Sequence, residues 1–222
     1  MDPRLLQPNA QPAADPRTQV RQAHAMLTGK APSFGNDAIK LVEAACAQKS
    51  AEALLYHAAL AARGHGRPQN FEDAYTYVKQ AAALGDRRAK GQLMALGPAF
   101  DRDAWFGPVQ QVQHHTAPRV FTIENFVSKP VCAWLMKQAK KNLQPAPVQI
   151  AARGGAFAVD GARSNTVAGS HPLQPDLVMQ LVNLKIAATI GVPLAQQEAT
   201  NILHYARGEQ YVPHFDFFTE AE

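Results

Sequence analysis

The 222-residue chain has two cysteines, Cys46 and Cys132, too few and too far apart for a disulfide framework or a metal-ligand spacing. They read as ordinary reduced core residues of two different helices. No apolar run approaches the roughly 18 residues of a membrane span. The opening Met1-Asp-Pro-Arg-Leu-Leu-Gln-Pro-Asn-Ala-Gln-Pro12 also lacks the apolar stretch of a signal peptide. These absences lead to the expectation of a cytoplasmic, reducing location with no membrane partner. A basic stripe is missing as well. The net charge of +4 comes from scattered Lys and Arg, with short groups at Arg87-Arg88-Lys90 and Lys137-Lys140-Lys141 that read as solvated helix faces. A nucleic-acid surface calls for a longer basic band interleaved with aromatics. The expected partner is therefore a protein or peptide, not a nucleic acid.

What is present divides the chain into four segments. Residues 1–16 carry Pro3, Pro8, Pro12 and Pro16 among Gln, Asn and Ala, the composition of a disordered tail. Residues 17–96 are Ala-rich, helical in pattern, and repeat with a period of 36: Ala38 matches Ala74, Val42 matches Val78, Ala45 matches Ala81 and Ala53 matches Ala89. Small residues at recurring positions let helices approach closely, and a helix pair that cannot bury its apolar face alone stacks on a neighbour. The unit from Ala51-Glu-Ala-Leu-Leu-Tyr56 through Gly64-His65-Gly66 to Ala81-Ala-Ala-Leu-Gly-Asp86 resembles the SEL-like class of tetratricopeptide-type repeats. So short an array is either a docking face for a protein partner or a helical cap supporting the second domain. Residues 97–118, with Gly97-Pro98, Gly107-Pro108, His114-His115 and Pro118, read as a linker anchored by Trp105-Phe106.

Residues 119–222 mix helix and strand patterns. A strand spans 119–123, Ser128 caps a helix running to about Asn142, and strand-like residues come next at 148–152 and 156–159. A polar turn over 160–170 leads to a second helix over about 176–190, ended by Gly191 and Pro193, in which Leu177, Leu181, Leu184 and Ala188 fall at core spacing. The fold class read from this is α+β, with four or five strands in the second domain. The most informative stretch comes last: a strand at 202–206, a Gly-bearing turn at 207–210, and a second strand ending in His214-Phe-Asp216. Side chains at i and i+2 of a strand share a face with Cα atoms roughly 6.6 Å apart. His214 and Asp216 can thus supply two of the three ligands of a 2-His-1-carboxylate Fe(II) site. Alternation alone equally allows Tyr211, Pro213, Phe215 and Phe217 to form the buried face, with His214 and Asp216 turned to solvent.

The order Tyr205, Gly208, Gln210, Tyr211, Pro213, His214, Asp216, Phe218, extended loosely back through Arg163-Ser164 and Phe121-Thr-Ile-Glu-Asn-Phe-Val-Ser128 to Arg119, resembles the prolyl 4-hydroxylase branch of the 2-oxoglutarate- and Fe(II)-dependent dioxygenases. The resemblance implies an α-helical repeat segment followed by an incomplete double-stranded β-helix, or jelly roll, with flanking helices. It implies His214 and Asp216 as iron ligands, Tyr205 on the co-substrate 2-oxoglutarate, and Tyr211 beside the same pocket. Ascorbate is the implied co-reductant, and the implied reaction is hydroxylation of a protein side chain, peptidyl proline foremost. In the family a second ligating His and a Lys or Arg for the distal carboxylate lie several strands later, whereas this sequence ends at Glu222. His114, His115, His171 and His204 are not placed to replace that His. The expectation is that residues 1–222 are inactive alone. The alternative is a non-enzymatic helical-repeat interaction protein carrying a truncated or degenerate oxygenase module.

Overall fold

The computed structural model describes residues 14–32, 36–150, 156–159, 161–171 and 173–214. Five helices come first: α1 (Pro16–Leu27), α2 (Asp37–Ala47), α3 (Ala51–Arg63), α4 (Phe71–Ala83) and α5 (Arg87–Leu96). Four of the five starts, those of α1, α3, α4 and α5, are set by side-chain caps. Asp15, Ser50, Asn70 and Asp86 accept the backbone N–H of Thr18, Ala53, Asp73 and Ala89, which satisfies donors that the first turn leaves without partners. Gly64 ends α3 in the left-handed conformation, φ 66°, which a side chain disfavours. Helix α3 is buried continuously from Ala53 to Ala62 and forms the axis of this layer. All eight positions related by the 36-residue interval are buried, and the caps Ser50 and Asp86 are separated by the same interval.

The layer also holds a polar network around the buried His57. Arg67 donates through Nη1 to His57 Nε2 at 2.9 Å and to the Tyr77 hydroxyl at 3.2 Å, and through Nη2 to Asp73. His57 stacks on Tyr77 with ring centroids 4.3 Å apart. Burial, reinforced by the Arg67 charge, pushes the His57 imidazole down from 6.5 to about 4. In the unfolded chain His57 takes its proton near 6.5, so stability is complete above that pH and falls as the pH drops from 6.5 to about 4. The loss expected across that window is about 3 kcal/mol. Urea denaturation at pH 7 and pH 4.5 should show it, and His57→Gln should flatten the slope. An equal slope in both proteins would assign the acid sensitivity to other groups.

The segment over 97–118 differs from its reading as a linker. It contains α6 (Arg102–Phe106) and β1 (Gln111–Thr116), which pairs antiparallel with β2 (Arg119–Ile123). Asp101 caps α6 by accepting from the N–H groups of Asp103 and Ala104, and Phe106 stacks on Phe71 with centroids 4.8 Å apart. The Gly-Pro pairs here punctuate elements. They do not replace them.

Two longer helices come next: α7 (Lys129–Ala139), capped by Ser128, and α8 (Leu177–Ile190), capped by Asp176 and ended by Gly191 at φ 71°. Residues 177–183 of α8 are buried without a break, so this helix lies between layers and not on a surface. Leu177 and Leu181 join Leu55, Ala58, Phe71 and Val78 in one apolar cluster. Val178 and Val182 join Ala95, Val131 and Trp134 in another. Polar contacts lock the junction. Gln92 accepts the Leu177 N–H at 2.7 Å, Arg63 donates to Gln180 at 3.0 Å, and the Trp134 indole N–H donates to the Asp176 carboxylate at 2.9 Å. Gly91 lets α5 reach Trp134 so closely that an added Cβ would collide with the indole ring. Packing therefore continues across residues 97–118.

The remaining strands are β3 (Gln144–Pro145), β4 (Val148–Ile150), β5 (Ala156–Ala158), β6 (Thr166–Gly169) and β7 (Asn201–His204). Among the described residues the seven strands form three antiparallel sheets, β1-β2, β3-β6-β7 and β4-β5, in an α+β arrangement. The sequence pattern leads to four or five strands. It also makes 160–170 a polar turn, whereas this stretch holds β6, the middle strand of the three-stranded sheet. Four residues flanked by Ser164, Asn165 and Ser170 show no usable alternation, and the strand exists through its ladders to β3 and β7. No helix among the described residues is long and apolar enough to cross a membrane.

Candidate functional site

The site is built on the edge that residues 201–212 add to β6. The register runs Gly169↔Asn201, Ala168↔Ile202, Val167↔Leu203 and Thr166↔His204. Pairing then resumes further along as an antiparallel bridge, Arg163↔Tyr211. Around it, Ser164 N–H donates to Gln210 O and Val212 N–H to Ala162 O, both at 3.0 Å. The Ser164 hydroxyl accepts the Gln210 N–H at 2.9 Å. Both halves of the motif thus pair with one partner segment, and the residues between them form an outward loop. Glu209 closes that loop: its N–H donates to Ala206 O at 3.0 Å, and its carboxylate accepts the Ala206 N–H at 2.7 Å. Gly208 supplies the φ of 87° that the turn requires.

Tyr205 opens this loop with 43% of its surface exposed, and Tyr211, half-buried, closes it. His214 lies beyond, exposed, with its ring stacked on Tyr211 at a centroid separation of 3.6 Å and an interplanar angle of 22°. Its Nδ1–H donates to Val212 O at 2.8 Å. That bond selects the tautomer whose lone pair is on Nε2, the form in which imidazole binds a metal. The structure therefore brings Tyr211 and His214 together, leaves Tyr205 at the far end of the loop, and adds Arg163, to which the motif alone gives no place in the site. The Arg163 guanidinium lies 4.6 Å from the Tyr211 ring centroid. Arg163-Ser164 is visible in the sequence as a loose part of the motif, but no local pattern reveals its cross-strand partner. Asp216 lies outside the described residues.

The other histidines sit in separate settings. His114 hydrogen-bonds Thr122, His115 contacts Pro118 O, and His171 accepts the Leu173 N–H and packs against His24. His204, exposed, pairs with Thr166. Among the described residues no group of three or more His, Cys, Asp or Glu is placed to hold a metal ion. Two cavities lie elsewhere, along α8. One of about 360 Å³ is lined by Trp105, Phe106 and Lys185, and one of about 220 Å³ by Phe121, Phe126 and Ile186. Burial lowers the Lys185 pKa, and its ammonium donates to Ala104 O at 3.4 Å, tying α8 to α6.

No family model matches the chain, and no solved structure matches it. Curated relatives do. "Probable prolyl 4-hydroxylase 6" of Arabidopsis thaliana is 33% identical over 115 residues, covering 52% of this chain and 40% of the relative. "Probable prolyl 4-hydroxylase 7" of the same plant is 34% identical over 113 residues, 51% of this chain and 35% of the relative. "Probable prolyl 4-hydroxylase 3" is 29% identical over 104 residues, 46% of this chain and 35% of the relative. The matched stretch thus spans about half of this chain and well under half the length of these relatives. Together they support a prolyl 4-hydroxylase-like family.

Proposed function

We propose that this chain carries the iron-binding strand of a 2-oxoglutarate- and Fe(II)-dependent dioxygenase that hydroxylates a protein side chain, peptidyl proline foremost. The observation that carries the reading is His214 itself, held on the motif segment in the tautomer that directs a lone pair through Nε2. His214 Nε2 and the Asp216 carboxylate would hold the metal, a donor set that suits Fe(II) with open positions. When bound, Fe(II) and 2-oxoglutarate supply the oxidising chemistry, with ascorbate as co-reductant. The chain's own residues bind and orient. Tyr205 presents a phenol able to donate to a carboxylate of 2-oxoglutarate. Val212, Pro213 and His214 are all exposed, a surface that suits a polymeric substrate.

In this reading the strands belong to a jelly roll, and residues 17–96 form a small SEL-like helical array that buttresses the oxygenase module. The burial of all eight positions matched by the 36-residue interval supports the array. Its shared core with α8 supports a buttress over a free docking face.

Tyr205 gives a test confined to the co-substrate. A lost hydrogen bond to a charged group is worth about 1.5–3 kcal/mol, so Tyr205→Phe should raise the Kd for 2-oxoglutarate at least about tenfold. The Kd for Fe(II) should stay within error under anaerobic titration. An unchanged 2-oxoglutarate affinity would remove Tyr205 from the site.

A further inference from the structure

Tyr211 is the residue whose role the motif leaves least defined, and its surroundings assign it one. We propose that Arg163 and Tyr211 are positioning residues for His214, forming a three-layer stack of guanidinium, phenol and imidazole that holds the His214 ring in one orientation before any metal arrives. The inference rests on the reading of His214 as a metal ligand. It concerns how the ligand is oriented.

An exposed histidine just past a bend ordinarily samples several rotamers about two side-chain torsions. Here two contacts restrict them. The Nδ1–H bond to Val212 O at 2.8 Å fixes one edge of the ring, and the near-parallel stack on Tyr211 at 3.6 Å fixes its plane. Both supports are pinned to the neighbouring segment, Tyr211 by its bridge to Arg163 and Val212 by its N–H bond to Ala162 O.

The far side of the Tyr211 ring is held as well. Arg163 Cζ lies 4.6 Å from the centroid. With the imidazole covering one face of the ring at 3.6 Å, the guanidinium of the proposed stack takes the other. Arg163 is itself fixed: its Nε–H donates to Asn165 Oδ1 at 2.8 Å and its Nη1 to Pro147 O at 3.3 Å. Asn165 is 1% exposed, and its backbone carbonyl accepts the Ala146 N–H at 2.9 Å. A chain of contacts thus runs from a buried asparagine just before β6, through Arg163 and Tyr211, to the imidazole. What Tyr211 contributes to this chain is its ring, not its hydroxyl. That distinguishes positioning from a hydrogen bond to a co-substrate.

Outer-shell partners that orient a ligating histidine are worth about 10–100-fold in metal affinity. Co(II), an air-stable probe for the Fe(II) site, would be titrated into the full-length protein and its variants. Tyr211→Phe should bind within about twofold of wild type, whereas Tyr211→Leu and Arg163→Ala should weaken binding about tenfold. Arg163→Lys, which keeps a cation over the ring, should recover part of the loss. In the metal-free wild type, NMR should place the His214 Hε1 resonance upfield because of the Tyr211 ring current. Tyr211→Phe should keep that shift and Tyr211→Leu should lose it. The wild-type spectrum alone tests the stack if a variant fails to fold.

An unshifted wild-type resonance would overturn the proposal, as would wild-type affinity in Tyr211→Leu and Arg163→Ala. So would a loss in Tyr211→Phe equal to that in Tyr211→Leu, because it would make the hydroxyl the operative group. If those variants bind normally while His214→Ala does not, the ligand assignment stands without the stack. If His214→Ala binds as wild type does, the ligand assignment itself fails.

Discussion

Replacing His214 by Ala is expected to reduce Fe(II)-dependent succinate release to the level of metal-free protein. Residues that merely orient a ligand are worth about 10–100-fold in affinity, so removing a ligand costs at least as much. The fold should be untouched. His214 is exposed, its replacement leaves no cavity, and surface substitutions of this kind stay within about 0.5 kcal/mol. An unaltered unfolding midpoint with abolished turnover is the expected pair of results. Asp216→Ala should behave the same way, an expectation that rests on its spacing from His214 in the sequence. Turnover retained in both variants would remove the metal assignment.

The second large effect concerns packing. Leu181 is 0% exposed on α8, within the cluster that contains Leu55 and Ala58 of α3 and Phe71 and Val78 of α4. Truncating it to Ala in so tight a setting is expected to cost about 2–5 kcal/mol. The loss should register in both halves of the chain at once. Far-UV circular dichroism reports mainly the helical layer, and fluorescence reports Trp105 and Trp134, both packed at the neighbouring cluster with Val178 and Val182 of α8. The two probes should give coincident transitions in wild type and coincident, shifted transitions in Leu181→Ala, as expected when one core serves both regions. Two separated transitions, only one of which moves, would mean that residues 17–96 fold independently.

Helix boundaries were legible in the sequence because they are set by local chemistry. Ser128 and Gly191 sit where a cap residue satisfies terminal N–H groups or adopts a left-handed φ, and the structure places them so, while Asp176, read as the first helical residue, is the cap of α8. Strand β6 was not legible. Its four residues acquire strand character from partners at β3 and β7, and nothing within Thr166-Val-Ala-Gly169 carries that information. The same limit divides the site. Tyr205, Tyr211 and His214 lie in one contiguous motif and can be read in order, whereas the placement of Arg163 over Tyr211 depends on cross-strand register. Lowered basicity at His57 likewise depends on burial of its ring and on the Arg67 charge beside it, which helical periodicity does not encode.

The reaction itself offers the most direct test. Protein in which residues 1–222 are joined to later strands carrying the family's second His and basic residue would be incubated with a proline-rich peptide, Fe(II), ascorbate and 2-oxoglutarate, and succinate and hydroxylated peptide would be quantified by mass spectrometry in the same sample. The account predicts equal amounts of the two products, both lost in His214→Ala. Folded, Fe(II)-loaded protein that leaves the peptide unmodified and consumes no 2-oxoglutarate would contradict it.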